Sequence, residues 1–176
     1  MRKRAKAVNF GIVYGISGFS LAKDIGTTPK EATNYIKNYH LNYLGIAEYL
    51  ERVVKDAESD GYTTTPMGRR RYIPELSASN GNLRAFGKRV AMNAPIQGAA
   101  ADIMKLAMIR VYNALKSELP EAKLIMQVHD ELIVEVRDSD VDKCKSILKR
   151  EMENAVELSI PLTADVTSGK NWLDQE

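Results

Sequence analysis

The sequence is organised around Leu124-Ile-Met-Gln-Val-His-Asp-Glu-Leu-Ile-Val-Glu-Val136. Apolar residues flank a polar centre on both sides, which predicts two short strands that meet at a tight turn. The turn carries His129, Asp130 and Glu131, and no Gly or Asn-Gly pair is present to explain it by backbone geometry alone. Adjacent carboxylates at a hairpin tip suit Mg²⁺, which binds through one or two carboxylates together with phosphates. An ordinary charged hairpin turn is the alternative, and these three residues alone do not separate the two.

Length and composition set broad limits. The 176 residues suffice for one domain or two small lobes, and the net charge of +2 gives no global sign of nucleic-acid binding. Local basic clusters fit phosphate contacts, with solvated faces as the alternative. These clusters are Arg2, Lys3, Arg4 and Lys6, then Arg69, Arg70 and Arg71, then Arg84, Lys88 and Arg89. The single cysteine excludes an internal disulfide, and no membrane span or targeting segment is visible, so we expect a cytoplasmic protein.

The first residues after Met1 have the periodicity of an amphipathic helix. One stripe of this helix, at four-residue spacing, consists of Arg2, Lys6, Phe10 and Tyr14. Two cations followed by two aromatics suit a ligand with a polyphosphate at one end and a flat ring or sugar at the other. The alternative is a helix whose aromatic side chains are covered by a neighbouring loop.

Local signals predict the remaining elements. They give a helix from Ser20 closed by Gly26, a helix capped at Thr28, a break between Asn42 and Gly45, a hairpin around Pro66-Met67-Gly68, a basic helix containing Arg84, a second helix opened by Pro95, a capping box from Ser139 to Asp142, and a final strand from Pro161 to Val166. By itself, Asn93 is a candidate cap for the helix at Pro95.

Four blocks resemble, in order, those of the bacterial DNA polymerase I family, family A. The first is Arg2-Lys-Arg-Ala-Lys6-Ala-Val-Asn-Phe10-Gly-Ile-Val-Tyr14-Gly15, similar to the R-x-x-x-K-x-x-x-F-G-x-x-Y-G signature called motif B. The next two are Gly68-Arg-Arg-Arg-Tyr-Ile-Pro74 and Arg89-Val-Ala-Met-Asn93-Ala-Pro-Ile-Gln97-Gly. The fourth is Gln127-Val-His-Asp130-Glu131, which resembles motif C. The resemblance covers nearly the whole chain.

This resemblance implies a role for each candidate residue in DNA-templated DNA synthesis with two Mg²⁺ ions, in replication and repair. Asp130 and Glu131 are the implied catalytic and metal-binding carboxylates. The implied nucleotide-binding residues are Arg2, Lys6, Phe10 and Tyr14, and the implied contacts to primer–template DNA are Arg89, Asn93, Gln97 and His129. Minor-groove acceptors occur in every base pair, so Asn, Gln and Arg donors there check pair shape without reading sequence.

The resemblance also implies what this chain lacks. Family members place a second metal-binding aspartate in motif A, which has no counterpart here, so we expect an incomplete two-metal site and no activity without an upstream part of the polymerase. The expected fold is α+β, with residues 1–88 as the C-terminal part of a helical fingers lobe. Residues 89–176 then form part of a palm, with a small antiparallel sheet covered by helices.

Two other functions stay open at this point. One is a non-catalytic remnant that binds DNA or nucleotides, and the other is an unrelated metal-dependent phosphohydrolase built on His129, Asp130 and Glu131. An unpaired sheet edge further predicts self-association.

Overall fold

The computed structural model describes residues 2–174, without the side chains of Arg2, Lys3, Arg4 and Leu173. The chain forms two compact units that divide between Ala99 and Ala100. Its helices are α1 (Arg2–Val13), α2 (Gly18–Ile25), α3 (Pro29–Asn42), α4 (Leu44–Asp60), α5 (Gly81–Glu118) and α6 (Val141–Glu153). Its strands are β1 (Tyr62–Thr64), β2 (Arg70–Tyr72), β3 (Lys123–Val128) and β4 (Glu131–Glu135), in two antiparallel hairpins. The α+β prediction is confirmed, and none of the helices described is long and apolar enough to cross a bilayer.

Local capping signals place the helices of the first unit. The backbone N–H of Glu31 donates to the hydroxyl of Thr28, and the Glu31 side chain accepts from the Thr28 backbone, which completes the predicted capping box of α3. Gly26 ends α2 with φ = 69°, a left-handed conformation that glycine adopts without strain. The predicted break falls at Tyr43, between α3 and α4.

Two apolar cores hold this first unit together. The first core joins α2 and α3 and also contacts α1; its buried members are Leu21, Ala22, Ile25 and Ala32. The second joins α4, the segment after β2 and α5; its buried members are Ala57, Ile73, Leu76 and Ala91. The β1–β2 hairpin, predicted around Pro66-Met67-Gly68, is confirmed.

One long helix replaces the two predicted around Pro95. Pro95 lies inside α5, so the prediction that it opens a new helix was wrong, as was the reading of Asn93 as a helix cap. A proline inside a helix costs about 3 kcal/mol because it lacks an N–H donor. Burial on both sides of the proline, at Ala91 before it and at Ala107 and Val111 after it, offsets that cost.

The second unit is built on the hairpin that the sequence analysis started from. β3 pairs with β4 from Lys123 opposite Glu135 to Val128 opposite Glu131, with an irregularity between Leu124 and Met126. The hairpin packs on α5 and α6 around a core whose buried residues are Val111, Leu115, Leu119, Cys144, Ile147 and Leu148. Cys144, the single cysteine of the chain, is therefore a small buried residue of this core.

Two local predictions for this unit were wrong. Asp140, not Ser139, precedes α6, and no side chain caps that helix. The final segment from Pro161 to Val166 forms no strand in the described part of the chain. One backbone group of this segment forms its hydrogen bond with a side chain instead of a neighbouring strand: the Ala164 N–H donates to Glu153 Oε1 at 3.0 Å. The Val166 side chain packs on the core.

Candidate nucleotide and nucleic-acid sites

The described part of the predicted stripe consists of Lys6 and Phe10 on α1 and Tyr14 directly after it. The Lys6 ammonium lies 5.6 Å from the centre of the Phe10 ring, and the Phe10 and Tyr14 rings are 6.1 Å apart at 38°. Phe10 is 51% exposed, which leaves its ring free for a ligand. The geometry is thus a cation followed by two aromatic rings tilted against each other along one line. The Arg2 side chain, predicted to extend this line, lies outside the described residues.

Gly15, directly after Tyr14, lies against α5 and so places the end of this stripe beside that helix. Gly15 has φ = +70°, and a Cβ at this position would lie 2.6 Å from Met92 Cε and 3.3 Å from Arg89 Cγ. Glycine fits both this backbone conformation and this close approach without strain, whereas a side chain would strain the backbone and push Met92 aside. The candidate nucleotide-binding stripe and the first of the candidate DNA-binding residues are therefore neighbours, although they lie far apart in the sequence.

Arg89, Asn93 and Gln97 lie four residues apart on α5, which places them on one face of the helix. Arg89 and Gln97 are exposed, and the Arg89 guanidinium lies 5.9 Å from the Phe86 ring centre. The Asn93 Oδ1 atom is buried and has no hydrogen-bond partner within the described chain. Such a face offers guanidinium and amide donors to an acceptor-rich ligand.

The tip of the β3–β4 hairpin has an unusual backbone. His129 has φ = +51°, a left-handed conformation in which a side chain is disfavoured, and it is the only described non-glycine residue with positive φ. The Gln127 side-chain N–H donates to the His129 carbonyl at 3.0 Å and fixes this turn. Strained residues of this kind persist where the surrounding structure holds them, often at functional sites. The sequence shows that no glycine occupies this turn, but it gives no sign that the Gln127 side chain stabilises the turn.

The two candidate metal ligands follow at this tip. Asp130 and Glu131 are exposed, and neither carboxylate forms a hydrogen bond or ion pair with another described residue. Free carboxylate oxygens at a turn are suitable ligands for Mg²⁺, which takes one or two protein carboxylates and completes its shell with water and phosphate. Within residues 2–174 no group of three or more His, Cys, Asp or Glu side chains could enclose a metal ion. The tip can supply part of a metal site.

The family model of DNA polymerase family A matches residues 1–174 of the chain. The chain belongs to DNA polymerase family A. Its relatives include DNA polymerase I of Caldicellulosiruptor bescii, 52% identical over 174 residues, and DNA polymerase I of Bacillus subtilis, 48% identical over 174 residues. Each match covers 99% of this chain and 20% of the relative, so the chain spans about a fifth of the length of these polymerases.

A solved structure supports the same assignment. The POL domain of Pol1 from M. smegmatis, in complex with DNA primer-template and dNTP, is 42% identical to this family A chain and superimposes with a TM-score of 0.91. The match covers 97% of this chain and 30% of that one. The roles of the individual candidate residues, and the division into fingers at 1–88 and palm at 89–176, stay predictions.

Proposed function

We propose that this chain forms part of a template-directed DNA polymerase that acts on primer–template DNA and deoxynucleoside triphosphates in the bacterial cytoplasm. The observation that carries the proposal is the line of Lys6, Phe10 and Tyr14, joined through Gly15 to Arg89 on α5. A nucleotide has a triphosphate at one end and a flat base at the other, so cations followed by aromatic rings along one line suit it. The neighbouring DNA duplex needs hydrogen-bond donors that face the acceptor atoms of its bases. Membership of DNA polymerase family A supports the same function.

Each side chain then has a physical task. Lys6, with Arg2, neutralises the triphosphate oxygens, Phe10 packs against the sugar, and Tyr14 lies near the templating base. Arg89, Asn93 and Gln97 donate hydrogen bonds to minor-groove acceptors, which are present in every base pair and so report pair shape. His129, held by the strained turn, lies near the primer end. These tasks are positioning and charge neutralisation, which dominate phosphoryl transfer.

We propose Asp130 and Glu131 as this chain's ligands for Mg²⁺. Mg²⁺ bound there would activate the primer hydroxyl and neutralise charge on the transferring phosphoryl group. Two carboxylates at one tip are few for a two-metal site, so we expect the remaining ligands from elsewhere in the polymerase. The isolated chain is therefore expected to be inactive.

Single-nucleotide primer extension with Mg²⁺ tests these proposals. The chain should show no extension alone and should extend a primer when the preceding part of Caldicellulosiruptor bescii DNA polymerase I is added. Asp130→Ala should abolish this complemented activity, whereas Asp138→Ala, which removes another exposed carboxylate just after β4, should leave it intact. Extension by the chain alone would contradict the expected incompleteness of the metal site.

Two other results would replace the proposed function. Salt-dependent DNA binding with no extension under any complementation would favour a non-catalytic DNA- or nucleotide-binding remnant. Hydrolysis of nucleotides without DNA, lost in Asp130→Ala, would favour a phosphohydrolase.

We further propose that the isolated chain associates with a second copy through the free edge of β3. Within the described chain, β3 and β4 pair only with each other. Two antiparallel copies of β4 would place Glu131 opposite Glu135, whereas two copies of β3 would place Lys123 opposite Val128, without like-charge repulsion. A stable monomer in light scattering at high protein concentration would contradict this self-association.

A further inference from the structure

Two backbone hydrogen bonds close the C-terminal end of α1. The Ile16 N–H donates to the Gly11 carbonyl at 2.8 Å, and the Gly15 N–H donates to the Ile12 carbonyl at 2.9 Å. Together with φ = +70° at Gly15, these bonds form a Schellman motif, in which the residues just past a helix fold back on its last turn. Tyr14 is the residue at which the helix stops, so this motif fixes the backbone that carries its ring.

The Ile16 side chain packs directly on the backbone of Gly11. A Cβ at Gly11 would lie 3.0 Å from Ile16 Cγ2 and 3.3 Å from Ile16 Cδ1, so the glycine leaves room for the isoleucine. Apolar contact between these two positions often accompanies a Schellman motif. The same Ile16 side chain also packs on the apolar core that joins α2 and α3. Ile16 therefore fastens the end of α1 to two other helices.

Tyr14 is held from both sides along the chain. Three residues before it, Gly11 is covered by Ile16, and directly after it Gly15 lies against Met92 on α5. The Tyr14 side chain is half-buried, and its hydroxyl forms no hydrogen bond with any residue that the structure describes. The fixed backbone and the neighbouring Phe10 ring, 6.1 Å away, therefore determine where the Tyr14 ring lies.

We propose that Ile16 is a positioning residue of the nucleotide site, which holds Tyr14 in place through its contact with Gly11. The inference rests on the proposed function, since that function places Tyr14 near the templating base. A side chain that is already fixed loses little conformational entropy when a nucleotide binds. A freed side chain must be ordered at every binding event, which weakens binding about 2- to 12-fold. Ile16 acts in this way without touching the nucleotide or the DNA.

Urea unfolding of the chain tests the contact between Gly11 and Ile16. Alanine favours a helix more than glycine does, so helix propensity alone predicts that Gly11→Ala raises the urea midpoint. Because Ile16 is β-branched and stiff at χ1, it does not yield readily to the added methyl group, and we expect Gly11→Ala to lower the midpoint. In the Ile16→Ala background the space is free, and the same substitution should raise the midpoint. A result without this reversal of sign would overturn the contact and the proposal with it.

A 3-fluorotyrosine label followed by fluorine NMR reports the position of Tyr14 itself. The resonance that disappears in Tyr14→Phe belongs to Tyr14, and Ile16→Ala should shift or broaden it. Ile36→Ala is the matched control, because Ile36 is also a partly buried isoleucine of the same core but lies on α3. This control should leave the Tyr14 resonance unchanged. Equal effects of the two variants on that resonance would show that Ile16 only fills the core, and would overturn the proposal.

Single-nucleotide primer extension by the complemented polymerase separates this inference from the proposed function. Ile16→Ala should raise the KM for the correct deoxynucleotide about 2- to 12-fold and keep kcat within about a factor of two, the pattern of a lost binding contribution. Ile36→Ala should change neither constant. If the unmodified chain supports extension and Ile16→Ala leaves KM unchanged, only the positioning role is overturned. If the unmodified chain supports no extension, the proposed function fails and the positioning role fails with it.

Discussion

Gly15 is where the structure makes its most specific demand on a single residue, and Gly15→Ala tests it. An alanine in the left-handed conformation costs about 1–2 kcal/mol. The added Cβ would also lie 2.6 Å from Met92 Cε and 3.3 Å from Arg89 Cγ. Because Met92 Cε is the end of a flexible side chain, Met92 can move aside at the cost of an off-rotamer torsion, about 0.5–1.5 kcal/mol. We therefore expect Gly15→Ala to lower the free energy of unfolding by about 1.5–3.5 kcal/mol.

Two other glycines separate these contributions. Gly61 has φ = +78° with no atom within 4 Å of the added Cβ, so Gly61→Ala should show the backbone cost alone, about 1–2 kcal/mol. Gly45 lies in helix α4, also in open space, and Gly45→Ala should stabilise the chain by up to about 1 kcal/mol. Urea unfolding followed by far-ultraviolet circular dichroism measures all three variants.

The comparison between the variants decides whether the contact with α5 is real. If Gly15→Ala destabilises the chain no more than Gly61→Ala, the close approach to Met92 and Arg89 is refuted. Because the added methyl group also displaces Arg89, Gly15→Ala should weaken duplex binding, whereas Gly61→Ala should not. Equal duplex affinity in the two variants would contradict the proposed link between the nucleotide stripe and the DNA-binding face.

Three further predictions concern the caps, the hairpin tip and the core. Hydrogen bonds from Thr27 and Thr28 hold the pKa of Glu31 below its ordinary value of 4.5. The stability that these hydrogen bonds give is complete above the pKa of the unfolded chain and is lost as the pH falls through the lower pKa of the folded chain. Glu31→Gln should therefore flatten the pH dependence of the urea midpoint below about pH 4.5. At the tip, His129→Val should lower the free energy of unfolding by about 1–2 kcal/mol, and His129→Gly should not lower it in the same urea titration, since glycine accepts φ = +51°. Ile147 is fully buried, and Ile147→Ala should cost about 2–5 kcal/mol by chemical denaturation; a loss below 1 kcal/mol would contradict its place in the core.

The sequence by itself determined the elements that are stabilised by contacts between residues only a few positions apart. The capping box of Thr28 and Glu31 and the left-handed end at Gly26 are such contacts, and both were predicted. The hairpin turn at His129 was also predicted, because alternation of apolar residues sets strand register over a short span. The family, too, follows from short motifs that the chain carries intact.

Tertiary structure decided the features that depend on distant segments. Helix α5 continues through Pro95 because buried residues on both sides of it offset the lost hydrogen bond, and the segment from Pro161 to Val166 forms no strand because a strand needs a neighbour to complete its ladder. The approach of Gly15 to Arg89 joins the turn after α1 to α5, and local periodicity carries no information about it. A one-dimensional pattern reports which face of an element is apolar, whereas packing in three dimensions determines which other element that face meets.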